Sequence, residues 1–142
     1  MGPDAPISTL MQTAVHTVTP SDRLRVVRAL VREHRLHHVP VVDGRRLLGM
    51  ISASDLLDVG FGEHGHDEAE LAAFLDRRFP IAQVMSRDLV TISPATTVRE
   101  AAALLSGGTF HALPVIDPEG DLLGIVTSSD LLRVLAELPR AG

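Results

Sequence analysis

Two short clusters of side chains bear chemistry and occur twice: Ser52, Ser54 and Asp55, and then Thr127, Ser129 and Asp130. In each, a hydroxyl stands three residues ahead of an aspartate, at the end of an apolar run where a helix should begin. An aspartate so placed can accept two charge-assisted hydrogen bonds from the cis-diol of a sugar. Hydroxyls beside the exposed amides of a helix start can donate to a phosphate. Helix capping alone is the competing reading for Asp55 and Asp130, since the same side chain satisfies the first amides of any helix. Ser52 and Thr127 can likewise end a strand by bonding local backbone. Two histidine groups invite a metal reading. His34, His37 and His38 are disfavoured because adjacent strand positions face opposite ways. The stretch from Glu63 to Glu70, with His64, His66 and several carboxylates, reads first as a solvated linker and second as a site for zinc or another divalent ion. No nucleophile elbow, Walker loop or His-Glu-x-x-His pattern occurs, so no catalytic residues are assigned.

The elements that must position these clusters are written twice. Ile7-Ser8-Thr9-Leu10-Met11 returns as Ile81-Ala82-Gln83-Val84-Met85, and Thr17-Val18-Thr19-Pro20 as Thr91-Ile92-Ser93-Pro94, both offset by 74 residues. His37-His38-Val39-Pro40-Val41-Val42-Asp43 returns as His111-Ala112-Leu113-Pro114-Val115-Ile116-Asp117 at the same offset. From Leu47 onward, matching Leu122, the offset becomes 75. The added residue falls between Asp117 and Asp121, a hairpin position that tolerates a change of turn length.

Each copy reads as strand, helix, strand, hairpin, strand, helix. Val15 to Thr19 is a short β-branched strand broken by Pro20, with Ser21 or Asp22 available to cap the next helix. Leu24, Val27, Leu30 and Val31 form that helix's apolar stripe. In the second copy Thr97 and Glu100 fit a capping box ahead of a stripe of Val98, Ala101, Leu104 and Leu105. Val39 to Val42 and Leu113 to Ile116 are continuous apolar runs of the kind buried on both faces. Each pairs across its turn with Leu47 to Ile51 or Leu122 to Val126. The fold class is therefore α/β in the α+β sense, with residues 1–58 as repeat 1, 59–79 as a linker and 80–142 as repeat 2. The linker reads as a helix from Asp67 to Arg78 with Leu71, Phe74 and Leu75 inward. A copy of about 50 residues is too small to bury both sheet faces alone, so two must share a core.

The order of elements, with Gly-h-h-[Ser/Thr]-x-x-Asp closing each copy and h-Pro-h-h-Asp ahead of it, resembles the cystathionine-β-synthase (CBS) domain family over nearly the whole chain. The resemblance implies two tandem βαββα repeats packed through their sheets with pseudo-twofold symmetry, and a homodimer in which four repeats form a disc. It also implies a regulatory module whose clefts bind AMP, ADP, ATP or another adenosyl compound, with no required cofactor. By that resemblance one site takes Thr19, Leu36, His37 and His38 with Ile125, Thr127, Ser129 and Asp130. The other takes Ser93, Phe110, His111 and Ala112 with Met50, Ser52, Ser54 and Asp55. Nucleotide-sensing members of the family carry His-Arg just before the h-Pro strand, where this chain has His37-His38 and His111-Ala112. The permanent charge of arginine is missing there, and imidazole is charged only in mildly acidic solution. Arg23, Arg25 and Arg99 are the candidate replacements. The alternatives to ligand binding are a dimerising interaction platform with vestigial clefts, and metal sensing through the loop of His64 and His66.

Composition sets the outer bounds. The 142 residues are 45% hydrophobic, enough for one packed domain, and they carry no cysteine, which removes disulfides and thiolate chemistry. All 13 basic residues are arginine against 18 acidic ones, and the net charge of -5 argues against a nucleic-acid partner. No apolar run reaches the roughly 18 residues of a membrane span, and the start Met1-Gly2-Pro3-Asp4 lacks signal-peptide features. A soluble cytoplasmic protein is expected.

Overall fold

In a computed structural model, residues 2–58, 70, 73 and 76–139 are described. The first repeat contributes helix α1 (Leu24–His34), strands β1 (His38–Asp43) and β2 (Arg46–Ser52), and helix α2 (Ala53–Asp58). Then follow α3 (Ile81–Val84), α4 (Val98–Ser106), β3 (Ala112–Ile116), β4 (Leu122–Thr127) and α5 (Ser128–Glu137). A 3-10 turn, Ile7–Thr9, precedes them all. Of the expected linker helix, residues 70, 73 and 76–78 are helical, while Leu71, Phe74, Leu75, His64 and His66 lie outside the described residues.

The chain forms two compact units, His16–Leu89 and Met1–Val15 with Val90–Gly142. In the first unit, β1 and β2 form an antiparallel pair closed at Asp43 and Arg46, with Gly44 at φ +62 in the turn. In the second, β3 and β4 pair from Ala112–Thr127 to Ile116–Leu122. The longer turn of this hairpin absorbs the added residue. Asp117 Oδ1 accepts the amides of Glu119 (3.0 Å) and Asp121 (2.9 Å), and Gly120 takes φ +91. Both hairpins carry a register shift at the same place, between Val41 and Val42 and between Val115 and Ile116.

The first expected strand of each repeat shrinks to a single bridging residue. Val18 bridges Val41 in parallel, donating to Pro40 C=O (3.1 Å) and accepting from Val42 N–H (2.8 Å). Ile92 does the same between Pro114 (3.0 Å) and Ile116 (2.9 Å). Extending either ladder would require N–H donors from Pro20 and Pro40, or from Pro94 and Pro114, and proline has none. Prolines thus stop the pairing at both ends.

Two other expectations are corrected. Ser21 and Asp22 do not cap α1. Its N-cap is Arg23 without a side-chain bond, and Asp22 instead accepts the amide of Thr19 at 2.8 Å. The first turn of α1 is satisfied from the linker, where the buried Asp76 carboxylate accepts the Arg25 amide (3.0 Å) and pairs with its guanidinium. Leu104, expected inward on α4, is exposed, while Val98, Ala101 and Leu105 are buried. Thr97 caps that helix, accepting the Glu100 amide and donating to its carboxylate, both at 3.1 Å.

Each core draws on the lead segment of the other sequence repeat. Ile81 and Met85 pack with Leu24, Val27, Val39, Val41 and Ile51. Ile7 packs with Val98, Ala101, Leu113, Val115 and Val126. The lead segments also cover strand edges: Ser86 exchanges two backbone hydrogen bonds with Met50 (2.8 and 3.0 Å), and Gln12 exchanges two with Ile125 (2.9 and 3.0 Å). The motif glycines make room for this approach. A Cβ on Gly49 would stand 2.8 Å from both Ser86 O and Met85 Sδ, and one on Gly124 would stand 2.7 Å from Gln12 O.

Candidate functional site

The strand-to-helix corners hold the two chemistry-bearing clusters. At the first, β2 ends on Ser52, opposite His38, and α2 begins. The Ser52 amide donates to Asp55 Oδ2 at 2.8 Å, and the Asp55 amide donates to Ser52 Oγ at 3.1 Å. The pair forms a reciprocal cap on α2. The His37 carbonyl accepts the Ala53 amide (2.9 Å), which ties the entry to β1 to the same corner. Asp55 remains half-buried, and among the described residues no further donor reaches its carboxylate.

The second corner has the same backbone and a different carboxylate environment. Thr127 stands opposite Ala112, and the Ser128 amide reaches His111 C=O at 3.4 Å. Asp130 Oδ2 accepts from the Thr127 amide (2.8 Å) and hydroxyl (3.1 Å). Its Oδ1 accepts from Gln12 Nε2 (2.9 Å) and Arg133 (3.3 Å). The residue is 2% exposed. Capping is therefore real at both corners, and among the described residues Asp55 carries one oxygen to which no hydrogen bond is donated.

The remaining expected site residues fall around these corners. Ser54, Ser129, His37 and His111 are exposed, Leu36, His38, Phe110 and Ala112 half-buried, and Met50 and Ile125 buried at 7% and 6% exposure. Thr19 and Ser93 lie in matching turns after the bridging residues. The Thr19 hydroxyl contacts Ser21 Oγ (2.9 Å), and Ser93 accepts the Ala95 amide (3.2 Å). Ser93 also lines an open groove of about 1020 Å³ bounded by Ile92, Thr96, Glu100, Leu104 and Ile116. Of the proposed replacement cations, Arg25 is committed to Asp76, and Arg99 pairs with Asp4 at 3.6 Å. No group of three or more metal-ligating side chains occurs among the described residues.

Gln12, Arg133 and Asp76 are site or scaffold residues that the sequence reading passed over. Gln12 and Asp76 act across 118 and 51 positions of chain, beyond any local pattern. Arg133 carries a readable signal, its i,i+3 spacing from Asp130 on one helix.

A doubled hairpin with an Asp-bearing corner defines a tandem-repeat module, and the family is shown by direct comparison. The CBS domain model matches residues 7–62 and 81–137, and the chain belongs to the CBS domain family. A CBS domain-containing protein of Dictyostelium discoideum is 32% identical over 137 residues, covering 93% of this chain and 92% of that one. Inosine-5'-monophosphate dehydrogenase of Korarchaeum cryptofilum is 32% identical over 117 residues, covering 82% of this chain but only 21% of that enzyme. The crystal structure of Arabidopsis thaliana CBSX2 in complex with AMP superposes with TM-score 0.78 at 26% identity, covering 95% of this chain and 98% of that one.

Proposed function

We propose that this chain is a non-catalytic regulatory module that binds an adenine nucleotide or related adenosyl compound and signals through conformation or partner affinity. One observation carries the reading: an aspartate-bearing strand-to-helix corner occurs twice, in a chain that matches an AMP complex over 95% of its length. On this reading Asp55 or Asp130 would receive the ribose diol, and Ser52, Ser54, Thr127 and Ser129 would face phosphate. His38 and Ala112 stand where nucleotide-sensing members of the family carry a permanent cation, so phosphate would be held more weakly at this position. No described helix is long and apolar enough to cross a membrane.

The test is a thermal-shift panel on protein refolded to remove carried-over ligand, with AMP, ADP, ATP, S-adenosylmethionine, GMP and zinc at millimolar concentration. A compound at 100 times its dissociation constant adds about 2.7 kcal/mol and raises Tm by several degrees. A rise with an adenosine compound and none with GMP supports the proposal. A flat panel rejects it.

A self-associating platform is a second reading with its own observation. Leu132 and Leu135 are 65% exposed and Leu138 41% exposed, beside an apolar groove of about 430 Å³ lined by Val98, Ala102 and Leu105. A second copy of the chain, as in the family's disc, would cover this face. Leu132→Glu with Leu135→Glu should halve the mass seen by light scattering; an unchanged mass rejects this interface.

A further inference from the structure

We propose that Gln12 and Arg133 close the Asp130 corner to ribose, so that the chain takes its nucleotide at the Asp55 corner alone. The inference rests on the nucleotide-binding reading and specifies which of the two corners performs it. A carboxylate offers about four acceptor positions on two oxygens. At Asp130 four donors take them: the Thr127 amide and hydroxyl on one oxygen, and Gln12 Nε2 and Arg133 on the other. A ribose diol could bind there only by displacing two of these partners from a residue that is 2% exposed. At Asp55, Ser52 occupies one oxygen, and among the described residues nothing donates to the other.

The difference comes from side chains and not from the backbone. Gln12 and Ser86 make the same pair of main-chain bonds to the strand beside them, at Ile125 and Met50. The repeat offset of 74 thus puts a long amide donor at one corner and a short hydroxyl at the other. The offset of 75 sets Arg133 against Asp58, a cation three residues after Asp130 and an anion three residues after Asp55. Arg133 is drawn to its carboxylate, whereas an aspartate at the matching place cannot donate to one. Two independent substitutions between the repeats therefore act in one direction, filling Asp130 and leaving Asp55 available.

Calorimetric titration of AMP into refolded, ligand-stripped protein tests the assignment. One AMP should bind per chain, Asp55→Asn should weaken it at least tenfold, and the double variant Gln12→Ala with Arg133→Ala should raise the stoichiometry toward two. Two equivalent sites in the unaltered chain would overturn the proposal, as would a single site lost in Asp130→Asn and kept in Asp55→Asn. Failure of the underlying reading looks different: neither the parent chain nor any variant takes up AMP. Closure is then read without ligand, from Tm. Gln12→Ala with Arg133→Ala should lower Tm by a few degrees, and no change would show that Asp130 is not held by these partners.

Discussion

The Ser52–Asp55 and Thr127–Asp130 corners share a backbone and differ in what surrounds the carboxylate. Both follow an antiparallel hairpin with the same register shift, both start a helix, and both flank a strand edge covered by a lead segment. Yet Asp55 is half-buried with one oxygen engaged by Ser52, and Asp130 is buried with both oxygens engaged. Duplication supplies two copies of one aspartate-bearing corner. On the proposal above, divergence at positions away from the motif then decides whether each copy keeps its carboxylate for a ligand or uses it to hold the fold.

The common scaffold should respond alike in both copies, and this is the largest effect expected. Gly49→Val and Gly124→Val would force a lead segment away from its strand, because the first added carbon already lies 2.8 or 2.7 Å from a backbone oxygen. Each should cost about 3 kcal/mol in chemical denaturation. A large inequality would mean that the two lead segments do not play equivalent parts. The corners themselves should respond unequally. Asp130→Ala leaves the Gln12 amide and the Thr127 amide without their acceptor and should cost about 2 to 3 kcal/mol, whereas Asp55→Ala removes a helix cap and should cost about 1 kcal/mol. Equal losses would remove the distinction drawn here. The smallest effect separates how the long helices end. Arg35 closes α1 at φ +53, while Gly108 takes φ +77 just past α4. Arg35→Gly should relieve the left-handed strain and stabilise the protein by about 1 kcal/mol, read as a higher denaturation midpoint with unchanged slope.

Much of the fold was legible because the repeat doubles every signal. The hairpins, the buried run Val39–Val42, the run Leu113 to Ile116 apart from its half-buried last residue, and the Asp-bearing helix starts all follow from local spacing. The prolines that limit Val18 and Ile92 to single bridges were visible too, but their consequence depends on which strand lies alongside. The rest is set by distant partners. Asp76 rather than Ser21 or Asp22 satisfies the start of α1, and Gln12 rather than water fills the Asp130 carboxylate, in each case across a separation that periodicity does not encode. Leu104 shows the same limit at a single position, since an apolar residue in helical register is buried only where a neighbouring element covers it. The site was legible as residue types. Which of the two aspartates has both oxygens engaged was not, because that depends on side chains such as Gln12, delivered by a lead segment.

A crystal structure of the protein soaked with or grown in AMP would show directly which corner holds the ribose. One nucleotide per chain is expected, its ribose hydroxyls on the Asp55 carboxylate, with Gln12 and Arg133 still bonded to Asp130. Ribose on Asp130 with Gln12 displaced, or nucleotide at both corners, would contradict it.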